Sequence, residues 1–226
     1  DARRSDLILA PLIGAMSPPP KGVDTPLRAA LAVPGSPVWA EASAWASASS
    51  QQGVLDAIRR VGEPSPPGRN FAFLLPYGRD AAPSAARDAG LVVSLGEPPV
   101  LAAARFEYLD VLTRVASLVN VEATRLAHEN KANDAAALLV RWALVCRQIA
   151  DREFFAEKRW GVLHTVAALE RLRDVAHEYG EQFTGQQLAE VSRSISEDYV
   201  GAERLQIPRA NLLAGEQVLA RAFVER

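Results

Sequence analysis

The stretch YLDVLTRVASLVNVEATRL, residues 108–126, decides the fold. Leu109, Leu112, Ala116, Val119, Ala123 and Leu126 recur in steps of three and four. That is the period of a helix with one apolar seam, and not the alternation of a strand. Tyr108, Val111, Val115 and Leu118 add a second stripe, so this part of the helix is expected to be buried on a wide face. With its flanks it predicts a helix over 98–129.

The pattern continues beyond it. HENKAND closes the first rod, and Asn133 is placed to cap a second over 133–150 that carries Leu138, Trp142, Val145 and Ile149, with Leu139 and Cys146 alongside. A third helix is expected over 153–179, with Phe155, Val162, Val166, Leu169 and Ala176 as its stripe and Gly180 as its stop. Thr184 and Gln187 stand at capping-box spacing and open a fourth over 184–199. Pro208 starts a fifth over 208–224, with Leu212, Val218, Leu219 and Phe223 apolar.

Proline divides the chain. Fourteen of its fifteen prolines lie in residues 1–99. Proline lacks the amide donor and clashes with the preceding helical turn, so this half must consist of short pieces. Thr25–Pro26 and Ser36–Pro37 read as helix starts, and QQGVLDAIRRVG as a short helix ending near Gly62. NFAFLLPYG (70–78) and GLVVSLGEPP (90–99) read as extended arms, or as one small β-hairpin if they pair. The expected class is all-α: long antiparallel helices in 100–226, with a Pro-rich region of short helices and arms in 1–99 packed on them as one continuous domain.

The ordering alanine, large apolar, alanine at Ala136, Val140 and Ala143 resembles the second helix of a tetratricopeptide-type hairpin. The resemblance covers about residues 100–150. Thr124 or a neighbour stands where that repeat's first helix has glycine, and no second copy follows at the ~34-residue period. The resemblance implies an α-hairpin with a partner-binding surface. It carries over no catalytic or ligand residue.

Composition narrows the chemistry. Net charge is −2 over 226 residues, with arginines interleaved among acids, so no basic field exists to hold nucleic acid. No run of 18 apolar residues occurs, so no transmembrane segment is expected. The chain starts without methionine, so either a leader was removed or a domain was cut from a longer protein; the opening DARRSD suits a juncture after a cleaved leader or an anchor upstream of Asp1, and the reading leans to an exported or envelope-associated bacterial protein, with a cytoplasmic one as the alternative. Cys146 is the lone cysteine, so no intrachain disulfide and no cysteine-based zinc site forms; on the apolar stripe it reads as packing and not as a nucleophile served by His164 or His177. Glu153, Glu157 and His164 share a helical face, but the Glu-x-x-His spacing of bundle di-metal sites is missing, and this face reads as exposed. No Walker loop, dinucleotide fingerprint or nucleophile elbow is present. Neither catalytic residues nor a cofactor or metal is therefore assigned.

Charged pairs Arg147–Asp151, Glu170–Arg173 and Arg171–Asp174 are expected to solvate outer faces. Gly161, with Thr165 and Ala168, forms a small-residue strip that predicts close approach of another helix. Trp142 is expected in the core, whereas Trp160, flanked by Arg159, is the candidate for a surface recognition patch. The leading expectation is a non-catalytic helical interaction or structural module, with a protein partner or self-association. The alternative is an enzyme or small-ligand binder with a pocket between the long helices and the N-terminal half, drawing on Tyr77, Arg79, Arg105, Glu107, Tyr108 and His164.

Overall fold

The computed structural model describes residues 3–63, 71–202 and 208–224. Ten α-helices are found among them: α1 (Ser5–Gly14), α2 (Pro26–Leu31), α3 (Trp39–Ser47), α4 (Ser49–Val61), α5 (Ser84–Asp88), α6 (Glu107–His128), α7 (Ala132–Ala150), α8 (Phe155–Glu178), α9 (Gly185–Ala202) and α10 (Arg209–Val224). The fold is all-α.

The apolar seam of 108–126 makes α6 the axis of the molecule. Tyr108, Leu112, Leu118, Val119, Val121 and Ala123 are fully buried, because α2 and α3 cover one side of α6 while α7 and α8 cover the other. The helix is shorter than expected. Residues 98–106 hold a 3-10 turn (Leu101–Ala103), and Ser94 and Arg105 exchange two backbone hydrogen bonds (2.9 and 2.8 Å). Pairing of this kind takes the backbone out of helical register until Glu107.

After a short turn α7 returns along α6, and α8 then runs parallel to α6. The second rod starts at Ala132, with Lys131 at the cap position and no side-chain cap from Asn133. Trp142, Val145, Cys146 and Ile149 are buried as their stripe requires.

The α7–α8 contact is small on small. A Cβ added at Gly161 would lie 2.6 Å from the Cys146 carbonyl oxygen and 2.8 Å from the Ala150 Cα, closer than real contacts allow. Thr165 Oγ1 donates to the Ala143 carbonyl (3.4 Å) and to that of Gly161 (2.8 Å). Backbone therefore meets backbone along Ala143, Cys146 and Ala150 on one side and Gly161, Thr165 and Ala168 on the other.

This contact overturns the stripe expected for α8. Its buried positions are Glu157, Gly161, Ala168, Arg171, Leu172 and Val175, while Phe155, Val162 and Val166 are exposed. The two sets lie two residues out of phase, which at 3.6 residues per turn is nearly the opposite face. Close approach selected the small face, and the larger apolar side chains were left outside.

The N-terminal half behaves as short pieces. Thr25 Oγ1 accepts from the Arg28 N–H (3.4 Å) and Pro26 opens α2, as expected. Ser36 does not cap α3; Val38 takes the cap position. Gly62 ends α4 against α7, where a Cβ would lie 2.8 Å from the Arg141 carbonyl carbon. The helices α1 and α5 were not anticipated, the former with Pro11 inside it.

No hairpin joins the two arms. Residues 71–77 form no strand; Ala72 pairs in parallel with the N-terminus instead, its N–H donating to the Arg3 carbonyl (2.9 Å) and its carbonyl accepting from the Ser5 N–H (3.0 Å). One bond, Gly78 N–H to the Val93 carbonyl (3.2 Å), is all that links residues 71–78 to 90–99 backbone to backbone among the described residues. The arm is pinned by side chains, as described next.

The capping box at Thr184 and Gln187 forms in both directions, Gln187 N–H to Thr184 Oγ1 (3.2 Å) and Thr184 N–H to Gln187 Oε1 (2.8 Å). α9 lies on α7, and α10 lies on the Leu101–Ala103 turn.

Candidate functional site

Where the arm 71–77 crosses the entry to α8, a buried polar knot forms around Glu157. Glu157 is the third residue of α8 and is fully buried, contrary to the exposed face expected for it. Its Oε1 accepts from the Tyr108 hydroxyl (2.6 Å) and from Arg152 Nε. Its Oε2 accepts from the Tyr77 hydroxyl (2.7 Å) and the Phe154 N–H (3.1 Å). Arg152 spends its other nitrogens on the arm, Nη1 on the Phe73 carbonyl (3.1 Å) and Nη2 on that of Leu75 (2.7 Å). Its guanidinium sits 4.7 Å from the Tyr77 ring centroid and 5.6 Å from that of Tyr108. Burial, and then the nearby Glu157 charge, hold both tyrosine hydroxyls well above the usual phenol range, with Arg152 partly opposing. Both therefore stay protonated as donors.

Every oxygen of the Glu157 carboxylate and every nitrogen of the Arg152 guanidinium has a partner, and both side chains are buried. Such a pair is expensive to break once formed. The knot's physical task is to nail an arm that has only one isolated bridge, at Ala72, onto the junction of α6, α7 and α8. It offers no free base or nucleophile.

Beside it opens a cleft of about 380 Å3, lined by arm residues including Leu74, Pro76 and Tyr77 and by Gln148, Asp151 and Glu153. Among the groups expected to converge on a pocket, Tyr77 and Tyr108 do meet, but inside the filled knot. Arg79 and Glu107 form an exposed ion pair at 3.9 Å. Arg105 is exposed, and its backbone serves the bridge to Ser94.

His164 lies elsewhere, on α8 one turn beyond Trp160. It stacks on Trp160, ring centroids 4.0 Å apart, and burial lowers it to about 4. Trp160 is not the free surface anchor expected: it is half-buried, stands edge-on to Trp142 and donates Nε1–H to Thr113 Oγ1 (3.0 Å). Arg159 beside it is exposed. Cys146 is buried in α7.

The ion pairs also differ from expectation. Arg147–Asp151 forms at 2.6 Å. Asp174 instead pairs with Arg173 (3.0 Å), and Arg171 turns inward, Nη2 donating to Thr124 Oγ1 (2.7 Å). Arg152 and Glu157 were missed as partners. The available signal was a glutamate at the third position of a helix next to an arginine just before its start.

The largest irregularity is on the outside. The side of α10 against the body consists of Ala210, Ala214, Gln217 and Arg221. Gln217 Oε1 accepts from the Leu101 N–H (2.9 Å), Ala210 N–H donates to the Glu153 carbonyl (3.2 Å), and Arg221 Nη2 reaches the Pro99 carbonyl (3.4 Å). Leu212, Leu219 and Phe223 point the opposite way, and Phe223 is 75% exposed. Asn211 Oδ1 accepts from the Phe155 N–H (2.7 Å), so this row starts at the same corner as the exposed row of α8.

No family model, no curated protein and no solved structure matches the chain. Among the described residues no helix is long and apolar enough to cross a membrane.

Proposed function

We propose that this chain is a non-catalytic helical interaction module whose outward faces on α8 and α10 are covered by a protein partner or by a second copy. The orientation of α10 carries this reading. An amphipathic helix normally turns its apolar row inward; this one holds the body with alanines and polar side chains and sends Leu212, Leu219 and Phe223 into solvent. On α10 alone, Leu212, Leu213, Val218, Leu219 and Phe223 expose on the order of 500 Å2, and Phe155, Val162, Leu163 and Val166 of α8 expose a second row. Stable interfaces bury about 800 Å2 per partner, and patches above a few hundred Å2 on a lone protein mark such sites. The likeness of 100–150 to a tetratricopeptide-type hairpin agrees with this reading.

Sedimentation velocity and binding of a hydrophobic dye test it. The wild type is expected to self-associate at tens of micromolar or, as a monomer, to bind the dye. Leu219→Asp/Phe223→Asp should abolish either behaviour at unchanged helicity. A monomeric wild type that binds no dye refutes the reading.

The cleft beside the knot favours a second reading, a small-ligand site between the arm and α7. A thermal-shift panel in which no ligand depends on Asp151 or Gln148 would remove it.

A further inference from the structure

The outward row of α10 has a shape as well as an area. Leu212, Gly215, Leu219 and Ala222 recur along it in steps of three, four and three. That is the seam of a helix built to lie alongside another helix. All four residues are exposed, and nothing lies within 4 Å of a Cβ added at Gly215. The body holds the opposite face, through Gln217 to the Leu101 N–H and Arg221 to the Pro99 carbonyl, so it does not compete for the seam.

Large and small alternate along this seam, leucine at 212 and 219, glycine and alanine at 215 and 222. A leucine knob needs a hole, and a gap at a contact forfeits its dispersion energy. In a parallel pair of such helices each level meets its own kind. Leucine crowds leucine, and the glycine level is left with a gap. In an antiparallel pair with a two-fold axis at Gln217, Leu212 faces the partner's Ala222 and Leu219 faces the partner's Gly215, because each couple is equidistant from residue 217. Every knob then meets a hole.

We propose that a second copy of this chain covers the α10 face, docked through an antiparallel α10–α10 pair with its two-fold axis at Gln217. The proposal rests on the reading of that face as an interface and names its occupant. The area agrees. α10 exposes on the order of 500 Å2 of apolar side chain, so two copies bring about 1,000 Å2 together, the size at which specific interfaces begin. A contact of this size makes a weak dimer. The flank of the seam agrees as well. Arg209 and Phe223 lie on one flank at opposite ends of the helix, and the antiparallel arrangement sets the partner's Arg209 beside the Phe223 ring. Glu216, between them, meets its own copy next to the axis, and this like-charge contact loosens the pair.

The full chain is tested by sedimentation equilibrium, by hydrophobic-dye binding and by dipolar electron resonance between nitroxides on single introduced cysteines, Cys146 being buried. A dimer dissociating in the micromolar range is expected. Gly215→Leu adds apolar surface but fills a hole, so it should weaken the dimer at least tenfold while dye binding holds or rises. Glu216→Gln should tighten it at least twofold. Labels at Glu216→Cys should stand about 3 Å apart along the helix axis and labels at Arg209→Cys about 24 Å, whereas a parallel pair gives equal separations. A wild type that stays monomeric at millimolar concentration yet binds the dye overturns the second copy and leaves the interface reading standing, with another protein as occupant. A monomer that binds no dye removes both. A dimer that Gly215→Leu leaves intact or strengthens, or equal label separations, overturns the antiparallel fit.

Discussion

Replacing Gly161 by alanine tests the α7–α8 contact directly. In an exposed helix interior this change gains about 1 kcal/mol from propensity. Here the new methyl would lie 2.6 Å from the Cys146 carbonyl oxygen and close to the Ala150 N–H, both backbone atoms that no rotamer change can move away. Ordinary contact needs about 3.5 Å, so the two helices must part by about 1 Å. A gap of that size forfeits a quarter to a half of each dispersion well it opens, and overpacked cores lose about 1–3 kcal/mol or more. The Thr165 bond to the Ala143 carbonyl, already 3.4 Å long, is lost with the separation. Net destabilisation of about 2–4 kcal/mol is expected, read by urea denaturation followed by circular dichroism. Gly215 in α10 is the control: nothing lies within 4 Å of its added Cβ, so Gly215→Ala should be neutral or stabilising. Equal behaviour of the two variants, or stabilisation by Gly161→Ala, would show that the helices do not meet backbone to backbone.

Glu157→Leu strands the Arg152 charge and two tyrosine hydroxyls in the core and should cost about 3–5 kcal/mol, whereas Arg152→Met/Glu157→Leu should cost less than the single change; a double-mutant cycle without coupling would contradict the knot. His164 makes stability pH-dependent. Its folded value of about 4 lies below the ordinary 6.5, so between these the unfolded chain binds a proton that the native chain excludes. That contribution is whole above pH 6.5 and is lost as pH falls toward 4. The imidazole is half-buried, so solvent screening keeps it well under the ~3 kcal/mol such a shift implies for a sealed group. Thermal melts at pH 7 and pH 5 should show a larger loss for wild type than for His164→Phe, and equal losses would refute the assignment.

Much of the frame was legible from periodicity. The seam of α6, the stripe of α7, the Thr184–Gln187 cap, the stop near Gly180 and the fragmentation before Pro99 all follow from local patterns. Backbone geometry alone decides each of these, through the 3.6-residue period, the orphan amides at a helix start, or the missing proline donor. Gly161 was legible too, because a glycine inside a helix is worth keeping only where something comes close.

The candidate site was less legible. Tyr77 and Tyr108 were singled out, but their common partner Glu157 was read as solvated, and Arg171 was given to Asp174. Both errors have one cause. A charged residue on a helix carries no local sign of which face will be inward, and tertiary contact decides that at the cost of apolar rows elsewhere.

The sequence by itself determined where helices start, stop and carry apolar stripes, since those depend on neighbours within a turn or two. Only the tertiary structure decided which stripe was used. Once α7 and α8 closed through glycine and alanine, Phe155, Val162 and Val166 were turned outward and Arg171 inward, because a rigid rod that buries one face must expose the other.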